Sequence, residues 1–406
     1  MRKFILGLLT IGMGYLQAQV DELGYETAEV SMSANYANRV FFNFDDGQLN
    51  SHVADNWDVA FWRISSTDFG TRVNDAKNIE VYEASAEPSD WDNIQIGNIG
   101  SWGEVLYNPD QTESLQEGAF EQGSATYGWG EYNFITHHIE GKVVFVLKYL
   151  QDDSYVKFMI TDYFGGYTFK YAKWNGTSWG ETQTKTIANG TNNHYFNYFS
   201  FATNEIVANN EPEIGSWDLM FTRYWTFYNN IMMYRMAGVI QSPDLEVARV
   251  EETQATNEFT IPTTGFSKNI TSIGHSWKPT SGVYDNVVYY VKKGEDIYRL
   301  YFIENGGAST GNMYFKYKKV AGNMGVTDLS RTEVKVYPNP VVHQVNIESK
   351  ELVQLIQIVN SNGQILLQTR PQSNKTMVNV SGLSKGVYYL KIHTEKGVQT
   401  STVLKK

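Results

Sequence analysis

Two seven-residue stretches place a tryptophan, an aspartate and an arginine at the same spacing. They are Trp57-Asp58-Val59-Ala60-Phe61-Trp62-Arg63 and Trp217-Asp218-Leu219-Met220-Phe221-Thr222-Arg223. An acid and a base that recur together could contact a ligand or could hold a fold. In a regular strand this Asp and Arg fall on opposite faces, so pairing them requires a bulge or a neighbouring strand. Recurrence in both copies favours fold maintenance. Two further acid pairs, Asp45-Asp46 and Asp152-Asp153, sit in hairpin-type turns and lack the glycine and distal glutamate of a calcium loop. The chain has no Gly-x-Ser-x-Gly, His-Glu-x-x-His, Walker loop or dinucleotide glycine fingerprint. Cysteine is absent, which removes thiolate catalysis, disulfides and Cys-based metal sites. Glycosidase carboxylates need not be close in sequence, which keeps a secreted β-sandwich hydrolase as a third reading.

The recurrence extends beyond these stretches. Aromatic runs precede both, Phe41-Phe42-Asn43-Phe44 and Tyr198-Phe199-Ser200-Phe201. Downstream, 142–148 echoes 286–292, Tyr155-Val156-Lys157-Phe158 echoes Tyr298-Arg299-Leu300-Tyr301, and Thr168-Phe169-Lys170-Tyr171 echoes Tyr314-Phe315-Lys316-Tyr317. The common order predicts a duplicated antiparallel β module over 19–180 and 195–321, in an all-β chain. Residues 84–130 read as loops with short helical pieces. Trp57, Val59 and Phe61 are expected on one strand face, with Asp58, Ala60 and Trp62 on the other.

With 27 Tyr, 21 Phe and 10 Trp, the composition suits half-buried pleated surfaces and opposes disorder. A net charge of −11 without a basic stripe argues against nucleic acid. Residues 1–18 carry Arg2-Lys3, an apolar run from Phe4 to Leu16 and an Ala18-Gln19 junction, the pattern of a signal peptide. No later stretch is long and apolar enough for a membrane helix, so the mature chain is expected to have no transmembrane segment.

The last segment, 333–406, has the pattern of a small Ig-like sandwich of about seven short strands. Its Val-Tyr-Pro-Asn-Pro opening (Tyr337, Pro338, Asn339, Pro340), the turn at Gly363, the run through Gly386 and Tyr388, and the basic end Lys405-Lys406 resemble the type A C-terminal sorting domain of the type IX secretion system. The resemblance implies a Bacteroidota-type protein that crosses the periplasm, with the secretion machinery and its sorting peptidase as partners. It also implies a secreted or outer-surface location.

The aromatic run, the Trp-Asp-x-x-Phe strand and the late Phe-Lys-Tyr strand of each module are similar to the HmuY family of haem-binding β proteins. That resemblance implies haem or a related porphyrin as ligand, held by a pair of axial side chains. No aligned His pair carries over. His137 and His138 are adjacent before a strand and, if extended, point to opposite faces, so they cannot share one iron. Met232, Met233 and Met236 could supply a thioether and Arg235 could meet a propionate. Met is also the usual filler of irregular cores, and surface or hydrogen-bonded histidines are the plainer reading of the pair. The expectation is a non-catalytic binding protein. The alternative is a structural or adhesive surface protein that binds glycan or protein.

Overall fold

The computed structural model describes residues 20–229, 231–322, 334–360, 365–394 and 397–406. The signal peptide and Gly363 lie outside the described residues. The chain forms two compact units, one ending at Val320 and one beginning at Ala321. Both are built from antiparallel strands.

The first unit opens with β1 (Glu26–Ser31), β2 (Asn38–Phe42) and β3 (Leu49–Val53). There follow β4 (Val59–Trp62), β5 (Thr71–Val73), β6 (Ile79–Ser85), β7 (Gly130–Tyr132), β8 (Ile139–Gly141) and β9 (Val144–Tyr149). Next are β10 (Ser154–Tyr163), β11 (Gly166–Lys173), β12 (Gln183–Ala188), β13 (Phe196–Ser200) and β14 (Glu205–Val207). The unit ends with β15 (Leu219–Tyr228), β16 (Met232–Gln241), β17 (Leu245–Glu251), β18 (Val287–Lys293), β19 (Asp296–Asn305) and β20 (Asn312–Ala321). Residues 84–130 hold three short 3-10 turns and no long strand.

Two four-stranded sheets lie at the centre, β14-β13-β4-β5 and β16-β15-β2-β3. Each has a larger sheet on its outer face. Val59 and Phe61 of β4 and Phe199 of β13 pack with Phe145, Phe158 and Phe169 to form the first lobe's core. Val40 and Phe42 of β2 and Phe221 of β15 pack with Tyr289, Leu300 and Phe315 to form the second. The inner faces meet in a seam that contains Phe41, Ala60, Trp62, Tyr198, Tyr224 and Ile240. Because both faces of these sheets are covered, β4 is buried at every position rather than at alternate ones. Ala60 and Trp62 do face away from Val59 and Phe61. Trp57 joins them in the seam, since it precedes β4 and is not bound by the strand's alternation.

The sequence repeat and the spatial lobes are out of phase. The repeat equates β1–β3 with β12–β14, as each set precedes a Trp-Asp stretch. In space β12 pairs with β11 and β13 with β4, which closes the first lobe from contiguous chain. The second lobe is closed by the opposite end of the unit: β1 pairs with β20, and β2 with β15. Thus 19–180 lends β1–β3 to the second lobe, while β12, from the stretch between the two segments, and β13–β14 of 195–321 complete the first.

The second unit has β21 (Lys335–Tyr337), β22 (Gln344–Val359), β23 (Ile365–Thr369), β24 (Ser373–Asn379), β25 (Gly386–Thr394) and β26 (Gly397–Lys405). The long β22 shifts register between Glu348 and Val353, pairing β24 mainly before the shift and β25 after it. That bend folds the strands over a core containing Val345, Ile347, Ile356, Ile358, Leu390 and Ile392, giving a sandwich-like unit.

Candidate functional site

Asp58 and Asp218 fasten the out-of-phase closure. The Asp58 carboxylate accepts from the Phe201 backbone N–H at 2.6 Å, the Tyr149 hydroxyl at 2.9 Å and Lys77 Nζ at 2.6 Å. Asp218 accepts from the Phe44 N–H at 2.7 Å and Lys293 Nζ at 2.9 Å. Backbone N–H groups of the same aspartates donate to Phe199 O and Phe42 O. Each acid therefore grips the aromatic hairpin that precedes the other copy of its motif in sequence. Neither pairs with the arginine of its motif. Arg63 donates to Asn197 Oδ1 at 3.1 Å, and Arg223 lies over the Tyr36 ring.

An open groove of about 690 Å³ crosses the two lobes on the surface. Tyr82, Gly100, Gly103, Glu104, Tyr107 and Lys148 line it from the first lobe, and Phe227 and Met233 from the second. Tyr107 is braced against Trp225, with ring centroids 5.0 Å apart, and Tyr82 lies 6.3 Å from Trp102. Burial pushes the Tyr107 phenol up to about 12, and burial with the neighbouring Glu80 carboxylate raises that of Tyr82 further. Both rings are thus neutral aromatic faces at physiological pH. Among the described residues, Glu104 is the one carboxylate lining the groove.

Inside the seam is a second space, a cavity of about 60 Å³. Arg39 enters it from β2 with its guanidinium 4.6 Å from the Tyr198 ring centre, and donates to Asn210 O. Glu211 accepts from the Tyr198 hydroxyl at 2.7 Å and the Phe196 N–H at 2.8 Å. Arg72 donates to Glu117 O at 2.6 Å, and Asp75 accepts from Asn108 Nδ2 at 2.8 Å. Burial pushes the Asp75 carboxyl up to about 7 against the pull of Arg72, and raises Glu211 against the pull of Arg39.

The residues considered as iron ligands do not converge. His137 has φ 62° in the β7–β8 turn, so the pair does not open an extended strand. Its Nδ1 bonds the Tyr132 hydroxyl at 2.6 Å. His138 Nδ1 bonds Asp162 at 2.7 Å, and its ring stacks on Phe164. Met232, Met233 and Met236 lie on β16, in a different sheet. Met232 is exposed, Met233 borders the groove and Met236 packs into the seam, as strand alternation and the hairpin's emergence dictate. Arg235 donates to the backbone carbonyls of Asp75 and Ala76 at 3.2 and 2.8 Å.

Sequence reasoning missed Arg39, Arg72, Tyr82, Tyr107 and Phe227. For the two arginines a signal existed: each interrupts a short β-branched or aromatic strand, where a charge is rarely neutral to the fold. For the groove aromatics there was none, because the chain has so many core aromatics.

In the second unit, Asn339 Nδ2 donates to Thr402 O and its Oδ1 accepts from the Leu404 N–H, both at 2.9 Å. The Lys406 N–H donates to Val341 O at 2.9 Å. The Tyr388 hydroxyl closes the turn before Gly386 by donating to Ser384 O, and the Tyr337 hydroxyl donates to Glu348. Lys405 is buried on the last strand. Pro338 and Pro340 flank Asn339 and shape the approach of this opening segment to the C-terminal strand.

Residues 335–406 match the secretion system C-terminal sorting domain, the sorting tail of the type IX secretion system. The chain is therefore a type IX substrate, exported to the cell surface or the medium. Among the described residues no helix is long and apolar enough to cross a membrane. No curated protein matches the chain. One similar solved structure is PorZ, a surface component of the type IX secretion system of Porphyromonas gingivalis. It is 13% identical with a TM-score of 0.17, over 67% of this chain and 44% of that one. Another is a polysaccharide lyase, 12% identical with a TM-score of 0.16, over 87% of this chain and 40% of that one. The chain thus spans less than half the length of either structure. The HmuY likeness of the repeats does not reappear in these comparisons.

Proposed function

We propose that this exported protein is a non-catalytic binding protein that takes its ligand in the groove crossing the two lobes. The observation that carries this reading is the groove's lining. Three neutral aromatic side chains sit beside two glycine backbones, with one acid and one base among the lining residues. A space of this size and character fits a ligand with flat apolar faces and polar edges, such as the rings of a glycan. A single lining carboxylate does not supply the acid pair that glycoside cleavage uses. That favours holding a glycan over cutting it.

Haem is the weaker ligand for this site. Of the side chains considered as axial ligands, Met233 alone lines the groove, and one thioether does not make an axial pair. Binding of immobilised glycans by the exported protein, measured beside a haem titration, tests the reading. Saturable glycan binding that weakens in Phe227→Ala is expected. A low-spin haem spectrum lost on Met233→Ala, with no glycan bound, would replace it with the porphyrin reading.

A further inference from the structure

We propose that the seam cavity is a binding site for a small oxyanion, a sulfate, phosphate or carboxylate group, held by Arg39, Arg72 and Arg223 and by the indole N–H groups of Trp57 and Trp217. It is separate from the groove, since no residue lines both.

Hydrogen-bond balance is the first argument. Four buried polar atoms of the lining residues have no partner among the described residues: Arg39 Nε, Arg223 Nε, Trp57 Nε1 and Trp217 Nε1. All four are donors. Arg39 is 5% exposed, Trp57 7% and Trp217 2%; Arg223 is half-buried, but its Nε atom is itself buried. Buried donors are normally paired, and a set made wholly of donors calls for a group made wholly of acceptors.

Charge and size give the second. Three guanidiniums line the cavity against two carboxylates, Asp75 and Glu211. Both carboxylates are already engaged, Glu211 by Tyr198 and Phe196, and Asp75 by Asn108. A cation is repelled by such a lining, and an apolar group would leave every donor unmet. An oxyanion meets both requirements, with arginine forks matched to its oxygens. The cavity's 60 Å³ exceeds the roughly 10–15 Å³ that one water needs, so it has room for a group of several atoms.

The strands lining it are β2, β4, β5, β13, β15 and β16, and so come from both lobes. An anion bound there would tie the lobes together, and occupancy would stabilise the first unit. The shared chemistry has two sources, a free inorganic ion or the acidic terminus of a larger ligand.

The test is a tryptophan-fluorescence and thermal-unfolding titration of the full chain with sodium sulfate, sodium phosphate and sodium acetate. Ionic strength is held constant with sodium chloride. A sulfated monosaccharide forms a further arm. A saturable fluorescence change with a matching rise in melting temperature is expected for at least one oxyanion. Saturation by the inorganic ion identifies a free anion, and saturation by the sulfated sugar alone identifies a tethered one. Arg223→Gln and Arg39→Gln should each raise the half-saturating concentration by about tenfold or more, the loss of one charged hydrogen bond. Trp217→Phe keeps the ring and removes only the N–H, and should weaken binding less. Arg39 stacks on three rings, so Arg223→Gln decides the matter if Arg39→Gln does not fold. A non-saturable response common to all salts, or one unchanged in Arg223→Gln, would overturn the proposal.

Discussion

At the scale of single residues, the two motif aspartates are worth more than their exposure to any ligand would suggest. Asp58 receives three donors and Asp218 two, including in each case the backbone N–H of a borrowed hairpin. Alanine at either position leaves a buried N–H without an acceptor, a loss of about 2–3 kcal/mol. Urea denaturation should show the larger loss for Asp58→Ala, and equal stability of wild type and both variants would remove the latch role. Asp75 predicts a pH effect. Its folded pKa, about 7, lies above the unfolded value of 3.8. Its protonated form is therefore favoured by folding. The stability this contributes is complete below about pH 4 and is lost as pH rises toward and through 7. Asp75→Asn preserves an acceptor for Asn108, and should flatten the decline between pH 4 and 7 while raising the melting temperature at pH 8. A variant with the wild-type slope would show that Asp75 is ionised throughout. Sequence alone read the aspartates as scaffold, either capping a turn or pairing with the motif arginine; the carboxylates do accept backbone N–H groups, and the pair does not form. The real partners, Lys77 and Lys293, come from other segments and have no local signature.

At the scale of elements, the recurring stretches are visible in the sequence, but the way the strands around them close is not. Similar sequences identify which strands are equivalent, but equivalence does not say which copy a strand pairs with. β2 and β13 are equally apolar, and either would satisfy either lobe's sheet by pattern alone. The exchange makes a sharp prediction. Residues 20–54 carry Val30, Met32, Val40, Phe42 and Phe44, all buried in the second lobe's core. At about 1.5–3 kcal/mol for each side chain, their removal costs about as much as a domain's whole net stability of roughly 5–15 kcal/mol. Deleting 20–54 should melt the second lobe and expose Trp277, seen as a loss of near-ultraviolet circular dichroism. Conversely, β1 and β20 are neighbours, with Glu26 opposite Tyr317. A circular permutant that joins 320 to 22 through a short linker and opens between the exposed Gly215 and Ser216 should fold, with both lobes then contiguous in sequence. Its failure to fold with native circular dichroism would argue that the order of closure matters as well as the contacts.

At the scale of the whole molecule, the sorting tail forms one unit and the proposed groove lies in the other. The sorting tail was legible because its motifs serve local geometry: Asn339 clamps the last strand and Tyr388 closes a turn, so spacing survives in sequence. Removing 333–406 should leave the first unit folded and held in the periplasm, and normal levels in the medium by immunoblot would contradict the export assignment. The groove was not legible, because the first-lobe residues up to Lys148 and the second-lobe pair Phe227 and Met233 are brought together only by the fold. The most direct measurement is a binding screen of the exported protein against a glycan panel and haem, run with wild type and a Phe227→Ala/Met233→Ala double variant. Phe227 is exposed and Met233 partly exposed at the groove, so the variant should fold as wild type does. Saturable binding of an intact glycan, weakened about tenfold or more in the double variant, is the predicted result. Equal binding by both proteins, or conversion of the bound glycan to product, would contradict it.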